Sequence, residues 1–237
     1  MADAPERPLT NHLLAAIPSD EFARIRPLLK DMELRFREDI YQSAEPTNHV
    51  WFPTVGVVSL VTEFMEGEPV EIATIGPEGM VGIQIFLGND QMPARAFVQV
   101  PGRALCMKAD DFHRMVKENP GFERLLLRYT LALMNQISQA AACNRAHGVE
   151  ERLARWLLMT QDRVHSPEFP LTQEFLAQML GVRRPTVSIA AGMLSKAGLI
   201  HYVRGRITVL DRAGLEKASC ECYRVISDEF QRLVGKV

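Results

Sequence analysis

The chain has 237 residues, 47% hydrophobic and 24% charged, which allows two modest domains each with its own core. No apolar run is long enough to cross a bilayer, and the stretch MADAPERPLTNH lacks the apolar centre of a secretory signal, so a cytoplasmic protein without a membrane partner is expected. The net charge of −2 hides an asymmetry: residues 1–144 carry 13 basic against 19 acidic side chains (net −6), and residues 145–212 carry 10 against 6 (net +4).

Residues 1–31 read as helix and turn, with apolar positions at helical spacing in NHLLAAIPSDEFARIRPLLK, broken at Pro18. From Met32 to about Lys108 short β-rich runs (VGVVSLVTEF, VEIATIG, ARAFVQV, RALCMK) alternate with turn signals (EPTN, EGEP, GPEG, GND, VPG). No helical segment separates them, so an antiparallel barrel or sandwich is expected. ADDFHRMVKENP reads as a short helix closed by Pro120. A long helix follows from Gly121 to about Arg145. Phe122, Leu126, Tyr129, Leu133, Gln136, Ala140, Cys143 and His147 form a heptad-spaced seam along it. That seam is read as a two-stranded dimer interface, with packing onto its own barrel as the alternative. VEERLARWLLMTQDRV makes another helix after Gly148, and HSPEFP reads as a linker.

Thr172 is placed to N-cap the helix QEFLAQML, and Gly181 to end it. The turn GVR leads into a second helix, RPTVSIAAGMLSKA, stopped by Gly198. Two short helices joined by a tight turn make a helix-turn-helix. LIHYVRGRITVL then reads as a β-hairpin with a basic tip at Arg204-Gly205-Arg206, a wing. Leu180–Arg206 holds five basic residues and no acidic one, the footprint of a polyanion-facing surface. Pro185 in the first turn deletes an N–H that has no intrahelical partner. Thr172, Arg183, Arg184, Thr186, Ser188, Arg204 and Arg206 are therefore the candidate DNA contacts. The helix front would meet base edges and the wing would meet phosphates.

The order of these parts resembles the CRP/FNR superfamily of bacterial transcription regulators. IGPEGMVG resembles the family's β-roll turn, and LTQEFLAQMLGVRRPTVSIAAGMLSKAGLI its helix-turn-helix. The resemblance implies an α+β chain: an N-terminal antiparallel β-roll (a cyclic-nucleotide-binding-like jelly roll), a long dimerisation helix and a C-terminal winged helix-turn-helix. Residues 1–120, 121–147 and 148–237 are the expected divisions. It also implies a homodimer on a palindromic operator, with RNA polymerase as a candidate second partner. In the family's Arg-Glu-x-x-x-Arg reading pattern, Arg184 matches the first arginine, Pro185 replaces the glutamate and Ile189 the last arginine. The preferred half-site should therefore differ from that of its relatives.

The family's cyclic-nucleotide cassette is broken. Ile83 follows Gly82 where glutamate is usual. Ala94 stands at the phosphate arginine, with Arg95 at the serine position. Gly82, Gln84 and Arg95 are the remaining candidate effector contacts, a poor phosphate site, and no tight cyclic AMP binding is expected. No cofactor and no metal site is expected, because Cys106, Cys143, Cys220 and Cys222 form no CxxC pair. An Fe–S cluster of the family's N-terminal type lacks its cysteines. His49 and His113 are isolated as haem ligands. Cys143 is a candidate for pairing with its symmetry mate, and Cys220 and Cys222 for oxidant response. On residues alone two rivals stay open: a cupin-like metal enzyme, for which His49 is the sole histidine among the strands, and an interaction module that does not touch DNA.

Overall fold

The computed structural model describes residues 11–66, 69–164 and 166–235. It opens with α1 (His12–Ala15) and α2 (Ser19–Ile25). The Asn11 side-chain Oδ1 caps α1 by accepting from the Leu14 N–H at 2.9 Å, while its Nδ2 donates to the carbonyls of Pro53 and Gly79. One side chain thus fastens the N-terminal segment to the sheet.

The strands β1 (Lys30–Leu34), β2 (Asp39–Tyr41), β3 (His49–Thr62), β4 (Val70–Ile75) and β5 (Arg95–Lys108) form one antiparallel sheet. Its order is β1-β5-β3-β4, with β2 also on β5. The residues VPG, expected to turn, lie inside β5. Proline lacks the ladder donor, and the β3–β5 register slips beside it, leaving Gly56 at φ 99° as a bulge. A short helix, α3 (Ile83–Phe86), interrupts the strands against expectation. It starts from Gly82 at φ 97°, a left-handed conformation that side chains disfavour.

α4 (Ala109–Glu118) is followed at once by α5 (Pro120–Ala146). Pro120 therefore opens α5 more than it closes α4, as a proline at the first helical position should. The Glu21 carboxylate accepts from the N–H groups of Gly121 and Phe122 at 2.9 and 2.8 Å, closing the start of α5 with a complementary charge. α6 (Val149–Val164), β6 (Glu168–Pro170), α7 (Gln173–Leu180), α8 (Arg184–Lys196), β7 (Ile200–Val203), β8 (Arg206–Val209), α9 (Arg212–Ala218) and α10 (Cys222–Leu233) complete the chain. The end of the expected linker is strand: β6 pairs with β8 in a three-stranded wing sheet. His165 lies outside the described residues, as does the polar start of the chain.

Two apolar cores meet. One fills the β-roll and is closed by α5 and by Ile226, Phe230 and Leu233 of α10. The other lies among α6, α7, α8 and the wing. Phe97 of β5 reaches into the second core, where it meets Phe175 of α7 edge to face at 6.0 Å.

The seam read as a dimer interface is consumed inside the chain. Phe122, Leu126, Tyr129, Leu133, Gln136 and Cys143 are all buried, and Ala140 is partly so. The Tyr129 hydroxyl donates to the Met80 carbonyl at 2.8 Å, and the Gln136 amide to the Thr74 carbonyl at 2.9 Å. The heptad spacing is real, but its occupants are the chain's own β-roll, α4 and the C-terminal helix, with Phe122 against Phe112 and Tyr129 near Phe230. Leu127, Leu131 and Met134, on the other side of α5, stand 55%, 45% and 59% exposed.

Candidate nucleic-acid interface

The Thr172 hydroxyl accepts from the Phe175 N–H at 3.1 Å and caps α7, which ends at Gly181 in the left-handed region (φ 61°). Arg183 is extended, and Arg184 and Pro185 begin α8. Val187, Ala190, Ala191 and Leu194 face inward and are buried; the alanines let α8 approach closely. Outward stand Arg183, Arg184, Thr186, Ile189 and Met193. Among the described residues no carboxylate pairs with Arg183 or Arg184.

The wing turn is Arg204-Gly205, at φ 48° and 77°. It is held to the segment between β6 and α7 by the Leu171 N–H, which donates to the Gly205 carbonyl at 2.7 Å. Arg204 is exposed and likewise without a carboxylate partner among the described residues. Arg206 differs from expectation: Glu168 on β6 pairs with it at 2.5 Å, so its charge is partly neutralised. Ser188 differs too. It is half-buried and its hydroxyl is directed at Gln173 Oε1 (2.8 Å), a bond between the two helices. Tyr202, its phenol pKa raised by burial, hydrogen-bonds to the Gln173 backbone near Arg184.

On the sensor side Arg95 is engaged by Asp39 at 2.6 Å and Glu63 at 3.2 Å, and it lies over the Phe97 ring. It is not a free cation for a phosphate. Gln84 is buried with neither amide atom hydrogen-bonded, near the Tyr41 hydroxyl. The His49 ring pairs with Asn48, and the His113 ring with the Ile85 carbonyl; among the described residues neither falls in a cluster of three or more groups able to hold a metal. Cys143, placed by the sequence reading at a symmetric thiol contact, is buried with its Sγ 3.5 Å from that of Cys220. A bond to a symmetry mate is closed to it.

A polar junction, which the sequence reading missed, joins the β-roll to α6. Arg163 bonds Glu78 of the GPEG turn at 2.8 Å and Thr74 Oγ1 at 2.5 Å, all buried. The Trp156 Nε1–H donates to Glu71 Oε1 at 2.9 Å, and Ser59 Oγ lies 2.8 Å from Glu71 Oε2 and 2.5 Å from Gln99 Oε1. Desolvation lifts the Glu71 carboxyl to about 7, against the pull of the Ser59 and Trp156 hydrogen bonds and of Arg155 and Arg163. Arg152 reaches the carbonyl of Leu180 at the end of α7. The sequence signal was three arginines on one apolar helix, at 152, 155 and 163.

Residues 32–119 match the model of the cyclic nucleotide-binding domain, and residues 151–218 that of the Crp-like helix-turn-helix domain. The chain belongs to the CRP/FNR family. It is a transcription regulator of that family with a helix-turn-helix DNA-binding domain. It is similar to the global nitrogen regulator of Nostoc sp., 22% identical over 179 residues that cover 72% of this chain and 80% of that one. The CRP-like cAMP-activated global transcriptional regulator of Mycobacterium tuberculosis is 20% identical over 212 residues, 86% and 95% of the two chains. FixK2 from Bradyrhizobium japonicum shares the fold with a TM-score of 0.69 at 18% identity, over 81% of this chain and 98% of that one. The c-di-GMP-responsive regulator CLP of Xanthomonas campestris shares it at 0.64 and 14%, over 81% and 99%. No helix of the described residues is long and apolar enough to cross a membrane.

Proposed function

We propose that this CRP/FNR regulator binds a two-fold-symmetric DNA site as a homodimer, independently of cyclic AMP, and that it is a binding protein rather than an enzyme. The observation that carries the reading is the set of three exposed arginines, Arg183, Arg184 and Arg204, which have no carboxylate partner among the described residues around the front of α8 and the wing tip. Exposed arginines without an ion pair among the described residues also occur elsewhere, at Arg124, Arg128 and Arg224, so it is the grouping of these three on one face, and not the lack of a partner alone, that supports the reading. Arg184 reads a base, with Arg183 and Arg204 on phosphates and Arg206 in a lesser role beside Glu168. Ile189, 64% exposed on the same face of α8, suits a thymine methyl.

The second copy docks on the outer seam of α5. Leu127, Leu131 and Met134, continued by Ser138, Ala141 and Arg145, repeat at alternating steps of four and three. A two-fold-symmetric site requires the two copies of α8 to stand about one DNA turn, roughly 34 Å, apart. Independence from cyclic AMP rests on Ala94 at the phosphate position and on Arg95 being held by Asp39 and Glu63. Titration calorimetry is expected to give no micromolar binding.

The deciding experiment is DNA binding by fluorescence anisotropy across a salt series. A steep log–log dependence is expected, with a slope reduced by about one in Arg204→Ala. Arg184→Ala should lose about 1–3 kcal/mol and relax sequence preference. A flat salt dependence overturns the reading in favour of a packing module.

A further inference from the structure

Four side chains from two distant stretches converge where α5 ends. Cys143 and His147 lie four residues apart, on one face of the last turn of α5 and at its C-cap. Cys220 and Cys222 flank Glu221 at the start of α10. The four ligand atoms, three Sγ and one imidazole nitrogen, all lie within 4.8 Å of one another. Cys143 Sγ is 3.5 Å from Cys220 Sγ, and Cys222 Sγ is 3.5 Å from His147 Nδ1. The thiols are buried, at 0%, 4% and 0% exposure.

The two 3.5 Å separations match the edge of one tetrahedral ion's ligand shell, and the 4.8 Å bound on the set is about 1 Å wider. Bonds of about 2.3 Å to sulfur and about 2.0–2.1 Å to nitrogen set ligand atoms roughly 3.5–3.8 Å apart along the edges of a tetrahedron. An iron–sulfur cluster places several ions between its cysteines and needs a wider frame. A simple dithiol has no use for a third cysteine or an imidazole.

The surroundings point the same way. His147 turns Nδ1 toward Cys222 and Nε2 toward Glu221 Oε2 at 3.1 Å, the carboxylate–histidine–metal orientation that fixes a ligating ring. The Gln139 Nε2–H donates to Cys222 Sγ at 3.0 Å. Arg152 and Arg155 are buried, each with an Nε that has no hydrogen-bond partner. Three thiolates around a divalent ion leave one negative charge for such arginines to balance.

We propose that Cys143, His147, Cys220 and Cys222 hold one divalent ion of the zinc class. With four protein ligands and no open position the site is structural. It would fasten the bend at His147-Gly148, where the long helix hands over to the DNA-binding unit, to the start of the C-terminal helix. This goes beyond the DNA-reading proposal and stands without it.

The test uses the full chain prepared without chelator. Elemental analysis is expected to find one zinc per chain. Metal-stripped, reduced protein titrated with cobalt(II) alone should develop sulfur-to-cobalt charge transfer and the strong visible bands of a tetrahedral ion. Cys106→Ser, on β5 and outside the cluster, should keep both signals, whereas Cys220→Ser and Cys222→Ser should lose them. Glu221→Gln should weaken affinity in a chelator competition by about 10–100-fold. Native metal-free protein that takes up no cobalt overturns the proposal, as does uptake that survives the Cys220→Ser/Cys222→Ser double change. Should the serine variants fail to fold, the cobalt spectrum of the unaltered chain decides alone: no sulfur-to-cobalt charge transfer, no site.

Discussion

Replacing Glu71 with glutamine removes a titrating group from the junction between β4 and α6. In the native chain Ser59 Oγ has one proton and faces two acceptors, Glu71 Oε2 and Gln99 Oε1. A protonated Glu71 resolves this: it donates to Ser59, Ser59 donates to Gln99, and Oε1 still accepts from Trp156. A glutamine amide repeats the same pattern. The carboxyl, lifted chiefly by desolvation from 4.5 to about 7, holds its proton to higher pH when folded than when unfolded. Its contribution is therefore complete below about pH 4.5 and is lost as pH rises through 7. The full displacement corresponds to about 3 kcal/mol, and the partly exposed position of Glu71 discounts this to about 1–2 kcal/mol. Glu71→Gln should match the parent near pH 4.5 and exceed it above pH 7 by that amount, a rise of roughly 2–8 °C in Tm. Thermal and urea unfolding followed by tryptophan fluorescence between pH 4.5 and 8.5 measures it. A difference curve that stays flat, or a variant less stable at pH 8, refutes the reasoning.

Arg163→Ala should destabilise by about 3–5 kcal/mol in urea unfolding, because it leaves the buried Glu78 carboxylate without its cation. Leu131→Glu, on the outer seam of α5, should shift the chain to monomer in sedimentation velocity with little change in monomer stability, whereas Leu133→Glu on the inner seam should unfold it. Ile189→Ala should weaken DNA binding only on sites that carry thymine at the contacted position, read by anisotropy on paired operators.

Local grammar made the DNA-binding half legible. Thr172, Gly181 and Pro185 each act on neighbours within a turn, so the bounds of α7 and the start of α8 could be placed from the residues alone. What failed was long-range. The seam on α5 was correct in period and wrong in partner, since a helix that packs on its own domain and C-terminal helix and one that packs on its twin share the same spacing. Arg95 looked like a displaced phosphate ligand until Asp39, 56 residues away, closed on it. Cys143 and Cys220 lie 77 residues apart, and only the return of α10 along α5 brings them within reach. Two spacings did hint at that cluster, Cys-x-x-x-His and Cys-x-Cys, but neither fixes which groups meet.

The wing tip places an arginine, not the usual asparagine or glycine, in the first left-handed position of a two-residue hairpin turn. A designer concerned with folding alone would write asparagine there and remove the backbone strain that Arg204 carries. If Arg204 makes the proposed phosphate contact, folding and binding set opposite preferences at one residue. Selection for thermal tolerance alone would then tend to erase the guanidinium, giving a sturdier hairpin at the expense of that proposed contact.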